Sequence, residues 1–132
     1  MKKFLFLLSF SVLFAHENKM QIFQPISSTC PKEWLDEMEK IAKNVEIVTV
    51  HSNKDIKRNV GIPKNIQSCN TSFFNDYVFE GNVPYLAIQD FFKNIPKNAI
   101  GLSLPSYENE KKLKQVYIIF EDYTYEKFGK YN

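Results

Sequence analysis

The chain has 132 residues, 24% of them charged, a formal net charge of +2 and two cysteines. That length suits one domain with a modest core. Its lysines interleave with Asp and Glu instead of forming a basic stripe, so nucleic acid is not an expected partner. No Ser-His-Asp triad, phosphate-cradling loop or paired-carboxylate pattern is present in the sequence, and the chain is expected to bind rather than to catalyse.

Residues 1–15 run from Lys2 and Lys3 through the apolar stretch Phe4 to Phe14 to Ala15, the charged, apolar and small order of a secretory signal. The apolar run is about 11 residues, short of the roughly 20 that a membrane-spanning helix needs, and no later segment is long enough either. The expectation is a signal peptide over 1–15 and a single mature domain over 16–132 with no membrane span, exported to the periplasm. Loss of Lys2 and Lys3 takes the formal charge from +2 to 0. Export also sets the redox context, because exported cysteines can oxidise and stay oxidised.

Gln21 to Gln24 reads as a brief strand ending at Pro25. Pro31 to Lys43 reads as a helix, with Trp34, Leu35, Met38, Ile41 and Ala42 on one face and Asn44 at its end. Val45 to Val50 alternates apolar and polar residues and is β-branched, the mark of a second strand. Strand, helix and strand at this spacing predict a right-handed parallel unit. Asp55 to Val60 is a short helix closed by Gly61 and Pro63. Thr71 to Phe74 and Tyr77 to Glu80 are strands joined by a two-residue turn at Asn75-Asp76. Pro84 to Asn94 is a further helix, with Leu86, Phe91 and Ile95 facing inward and Tyr85, Ile88 and Phe92 beside them. Gln115 to Glu121 is one more strand, followed by an aromatic tail through Tyr131 that packs on the sheet. The order βαβ, short helix, ββα predicts an α/β fold of thioredoxin-like type, a mixed sheet flanked by helices.

Cys30 falls between the first strand and the first helix, where a helix start stabilises a thiolate. Cys69 lies 39 positions on, in the loop entering the third strand, which in a thioredoxin-like chain approaches that helix start. Three readings of the pair stand open. A disulfide would close a loop of about 40 residues and restrict the unfolded chain by about 4 kcal/mol. Two reduced thiolates would take a soft ion such as Cu(I). As a redox couple Cys30 would attack and Cys69 would resolve, although the Cys-x-x-Cys spacing is absent.

The stretch GIPKNIQSCNTSFFNDYVFEGNVP, Gly61 to Pro84, together with the segment around Cys30, resembles the exported metal-binding proteins of the domain of unknown function 411 family. That family's pattern has Cys-Gly-Cys-Cys before a Trp helix, then Ser-Cys-His-Thr, then Glu-Gly-His-Val-Pro. Aligned on Trp34 without gaps, the cysteine cluster falls on Ser28-Thr29-Cys30-Pro31, and a two-residue gap would instead match Cys30 to its first cysteine; either way two thiols of that cluster are absent. The later motifs read Ser68-Cys69-Asn70-Thr71 and Glu80-Gly81-Asn82-Val83-Pro84, so both histidines are asparagines. Gly61, Pro63, Tyr77, Gly101, Leu102 and Pro105 match as scaffold. The resemblance implies copper, as Cu(I), on a reduced two-thiolate site of Cys30 and Cys69. Its alternatives are a non-catalytic scaffold with a structural disulfide that binds a periplasmic protein partner, and a thiol-disulfide oxidoreductase. Asn82 also suits a cap for the following helix. His16, which cleavage after Ala15 would place at the mature amino terminus, reads as a solvated residue. So does His51, while Met38 reads as core.

Overall fold

The computed structural model describes residues 18–132. The signal segment 1–15 and His16 lie outside the described residues. The elements are β1 (Lys19–Pro25), α1 (Lys32–Met38), β2 (Asn44–Val50), α2 (Lys54–Val60), β3 (Thr71–Phe74), β4 (Tyr77–Glu80), α3 (Tyr85–Lys93), β5 (Ala99–Ser103), β6 (Lys114–Phe120) and β7 (Tyr125–Tyr131), with 3₁₀ turns at Lys64–Ile66 and Ser106–Glu108. The strands form one mixed sheet of seven in the order β2-β1-β3-β4-β5-β6-β7. β1 and β2 are parallel, as the strand-helix-strand spacing predicts, and β3 returns antiparallel to β1. β4 and β5 form a second parallel pair, and β5, β6 and β7 continue antiparallel.

The β3–β4 turn falls on Asn75 and Asp76, with φ of 50° and 68°. Two positive φ values in succession match the twist of the flanking strands, and Asn and Asp tolerate them. The predicted helix over Pro31 to Lys43 is shorter than its apolar periodicity. After Met38 the chain tightens into i−3 bonds, Lys40 N–H to Glu37 O at 3.1 Å and Ile41 N–H to Met38 O at 3.0 Å, and then joins β2. β5 and β7 were not among the predicted strands.

Alternation along β4 and β6 divides the interior in two. Phe79 and Ile118 join the larger cluster with Met20, Ile22, Trp34, Met38, Ile88 and Phe91, beneath α1 and α3. Val78 and Ile119 point the other way, onto Ile62 and Ile66 after α2. The aromatic tail, expected to pack on the sheet, is instead its edge strand β7, with side chains that reach α3. The Phe128 ring lies 6.4 Å from Phe91, and the Tyr131 hydroxyl donates to Asp90 Oδ2 at 2.8 Å. On α3 the structure corrects one assignment, because Ile88 is fully buried while Leu86 is 59% exposed. Helical period places 84, 88 and 91 on one stripe and leaves 86 on the opposite side. Replacing Leu86 by Gln is expected to change unfolding free energy by less than about 0.5 kcal/mol, read as the urea midpoint at constant m. A loss above about 2 kcal/mol would mean that Leu86 is buried after all.

Candidate thiol site

Cys30 precedes α1, and its backbone N–H donates to Gln24 Oε1 at 2.8 Å, which folds the β1–α1 loop back on β1. The side chain is 8% exposed and belongs to the main core cluster. The Trp34 indole, one turn into α1, donates to Val83 O at 2.9 Å and ties the helix start to the loop before α3. Cys69 stands exposed in the loop entering β3, and both cysteines are free thiols. Burial pushes the Cys30 thiol up to about 11, and the negative charge of Cys69 pushes in the same direction. β1 and β3 are antiparallel neighbours with Phe23 opposite Thr71, so the loop after β1 that carries Cys30 and the loop entering β3 that carries Cys69 leave the sheet at the same end.

The expectation that the helix start makes Cys30 the reactive thiolate is overturned. Pro31, at the N-cap of this seven-residue helix, has no N–H to offer, and the apolar surroundings of the sulfur outweigh what remains of the dipole. Cys69 is the accessible thiol.

Cys69 is held from beneath by groups that the sequence reading did not single out. Its carbonyl accepts from Asn53 Nδ2 at 2.6 Å and from Lys57 Nζ at 3.2 Å. Lys57 also donates to Thr71 Oγ1 at 2.8 Å and forms an ion pair with Glu80. Glu80 in turn accepts from Ser68 N–H at 2.8 Å and from Thr71 Oγ1 at 2.7 Å. The one sequence signal was Glu80 itself, a carboxylate closing an aromatic strand that must find a cation once that strand is buried. Its partner, 23 positions earlier on a short polar helix, left no trace in the pattern.

Asn70 and Asn82 flank this loop. The ladder ends at Thr71 opposite Glu80, and Gly81 N–H to Asn70 O at 2.8 Å extends the pairing one residue further. Asn70 is buried, and its Nδ2 has no hydrogen-bond partner, nor has the buried Oδ1 of Asn82. The capping role for Asn82 is not realised, because Pro84 is the N-cap of α3 and no side chain caps that helix. Proline at 84 sets the helix start two residues beyond reach of the amide. His51 is exposed after β2, and Met38 is fully buried in the core, as expected. Among the described residues no three His, Cys, Asp or Glu side chains gather into a metal-holding group, so His51 does not join the thiols.

What the frame and the site define is a mixed α/β domain with two free thiols, one buried before its first helix and one exposed in the loop entering its third strand. Residues 66–108 match the model of the family described as "Protein of unknown function, DUF411", which bears out the resemblance read from Cys69 and the motifs after it. No curated protein matches the chain. Two solved structures share its fold. "Copper resistance protein copG- Form 2" superposes with a TM-score of 0.73 at 17% identity, over 86% of this chain and 98% of that one. "Copper resistance protein copG- Form 1" gives 0.66 at 18% identity, over 86% and 96%. At these identities the likeness is one of fold. No described helix is long and apolar enough to cross a membrane.

Proposed function

We propose that the chain is an exported, periplasmic copper-handling protein that holds Cu(I) between the reduced thiols of Cys30 and Cys69 on a thioredoxin-like frame, binding without turnover. The observation that carries this reading is the pair itself: two free thiols, 39 positions apart in sequence, on loops that leave the neighbouring strands β1 and β3 at the same end of the sheet. Sulfur donors select soft ions, and Cu(I) accepts the low coordination number that two thiols provide. The shared fold of the copper resistance structures and the match of 66–108 to the family point the same way. Asn70 and Asn82 do not add to a soft site, since an amide offers a hard oxygen and a nitrogen with no free lone pair. The charged, apolar and small order of residues 1–15 supports export. Bound copper would supply the positive charge that lets Cys30 give up its proton below its raised pKa, so uptake releases protons and strengthens with pH.

Native mass spectrometry of residues 16–132, purified oxidised and then reduced, tests the reading with Cu(I) offered to the reduced form. The expected result is one copper per reduced chain, lost in both Cys30→Ser and Cys69→Ser. An intact disulfide with no copper uptake after reduction overturns it and leaves a disulfide-held scaffold for a protein partner.

A further inference from the structure

We propose that the buried Lys57–Glu80 ion pair is a positioning device for Cys69, fixing the backbone beneath the exposed thiol so that its sulfur keeps one place relative to the loop that carries Cys30. The proposal deepens the two-thiol reading above and rests on it. The side chains of Lys57 and Glu80 are 5% and 0% exposed. The Lys57 ammonium has three protons and three acceptors, Glu80 Oε2, Thr71 Oγ1 and the Cys69 carbonyl. Glu80 fills its two oxygens with Lys57, Ser68 N–H and Thr71 Oγ1. Three of the four residues Ser68 to Thr71 therefore bond directly to one buried pair, and Asn53 adds a second donor to the Cys69 carbonyl.

The arrangement is unusual for what it holds. A loop residue with an exposed side chain is ordinarily among the more mobile parts of a fold. Here its backbone carbonyl takes two donors, from Asn53 and Lys57, both of them buried side chains. Stability alone does not account for the pair, because well-packed apolar residues of similar volume replace a buried ion pair at little or no cost. What apolar residues cannot reproduce is the set of directed bonds to Ser68, Cys69 and Thr71. Lys57 acts through the carbonyl and the loop, not by contact with the sulfur, and so belongs to the support of the site.

The test is the equilibrium of the dithiol with glutathione disulfide, in which one protein disulfide and two glutathione thiols form from one protein dithiol and one glutathione disulfide. Its constant gives the effective concentration of one thiol at the other and needs no metal. Lys57→Met alone strands a buried carboxylate and can unfold the chain, so the variant of choice is the double Lys57→Met/Glu80→Met, checked for native near-ultraviolet circular dichroism. In that folded variant the effective concentration is expected to fall at least 10-fold, with Cu(I) affinity falling in parallel. Asn53→Ala, which removes one of the two donors to the Cys69 carbonyl, should move it the same way by a smaller factor. A folded double variant with the wild-type effective concentration overturns the proposal. If the wild-type protein takes no Cu(I), the copper reading falls, while the glutathione equilibrium still decides whether the pair positions Cys69.

Discussion

Iodoacetamide added to the reduced protein at pH 8 is expected to modify Cys69 and leave Cys30 almost untouched. Cys69 is exposed, while Cys30 is in the core with its thiol raised from 9.0 to about 11. The thiolate is the nucleophile, and at pH 8 a pKa of about 11 leaves roughly one thiolate in a thousand, against about one in ten for the same thiol at 9.0. Ionisation alone slows Cys30 by about 100-fold relative to the urea-unfolded chain, and poor access adds to that. The rate at Cys30 should climb about tenfold per pH unit from 8 toward 11. Equal labelling of the two cysteines, or a Cys30 rate that is flat over this range, would show that the thiol is not buried as described. The same shift has a sign for stability. Between pH 9 and 11 the unfolded chain loses the Cys30 proton while the folded chain keeps it, so stability is full below pH 9 and declines as pH rises. The loss approaches about 3 kcal/mol, and is isolated as the difference between wild type and Cys30→Ala. Tyr107 and Tyr131, both raised to about 12, titrate above this window.

Where the sequence reading succeeded, local chemistry and tertiary context agreed. Asn75-Asp76 between aromatic runs marks the turn, β-branched alternation marks β2, and Gly61 ends α2 with φ of 87°. The strands that escaped it lack period two. Ala99–Ser103 carries Gly101 a few residues beyond Pro96 and looks like a turn. In the sheet, a Cβ at 101 would lie 1.7 Å from the Val78 carbonyl, so the glycine marks a close approach of backbones, which one sequence cannot distinguish from a bend. In β7 the register with β6 slips between Val116 and Tyr117, leaving Phe128 as an extra residue. That bulge spaces Tyr125, Phe128 and Tyr131 by threes and hides the strand. At the site, the positions of Cys30 and Cys69 were legible because they follow from topology. The order of their reactivity was not, since it depends on how deeply the loop before α1 sinks, a property of packing. Lys57 was illegible for the same reason: burial of a lysine shows only when the carboxylate that accepts it is in place.

Gly81→Ala is expected to cost about 3–5 kcal/mol, the sum of a left-handed backbone and a steric conflict with two neighbouring segments. Gly81 has φ of 81°, and an added Cβ would meet Leu104 O at 2.4 Å and Ser68 Cβ at 2.7 Å. Neither neighbour can yield cheaply. Leu104 N–H is bonded to Glu80 O at 2.9 Å, so its backbone is pinned to β4, and Ser68 N–H is bonded to the Glu80 carboxylate. The glycine thus lets three segments meet beside Cys69, and a side chain there would push Ser68 away and carry the thiol with it. Gly129→Ala is the contrasting case, because its nearest neighbour is the movable Tyr131 ring at 3.1 Å, and its cost should stay below about 1 kcal/mol. Urea unfolding of both variants gives the comparison. If Gly81→Ala were no worse than Gly129→Ala, the tight junction of Ser68, Gly81 and Leu104 would be wrong, and with it the account of how Cys69 is held. If it loses the expected stability, Gly81 keeps the loop that carries Cys69 close to the sheet.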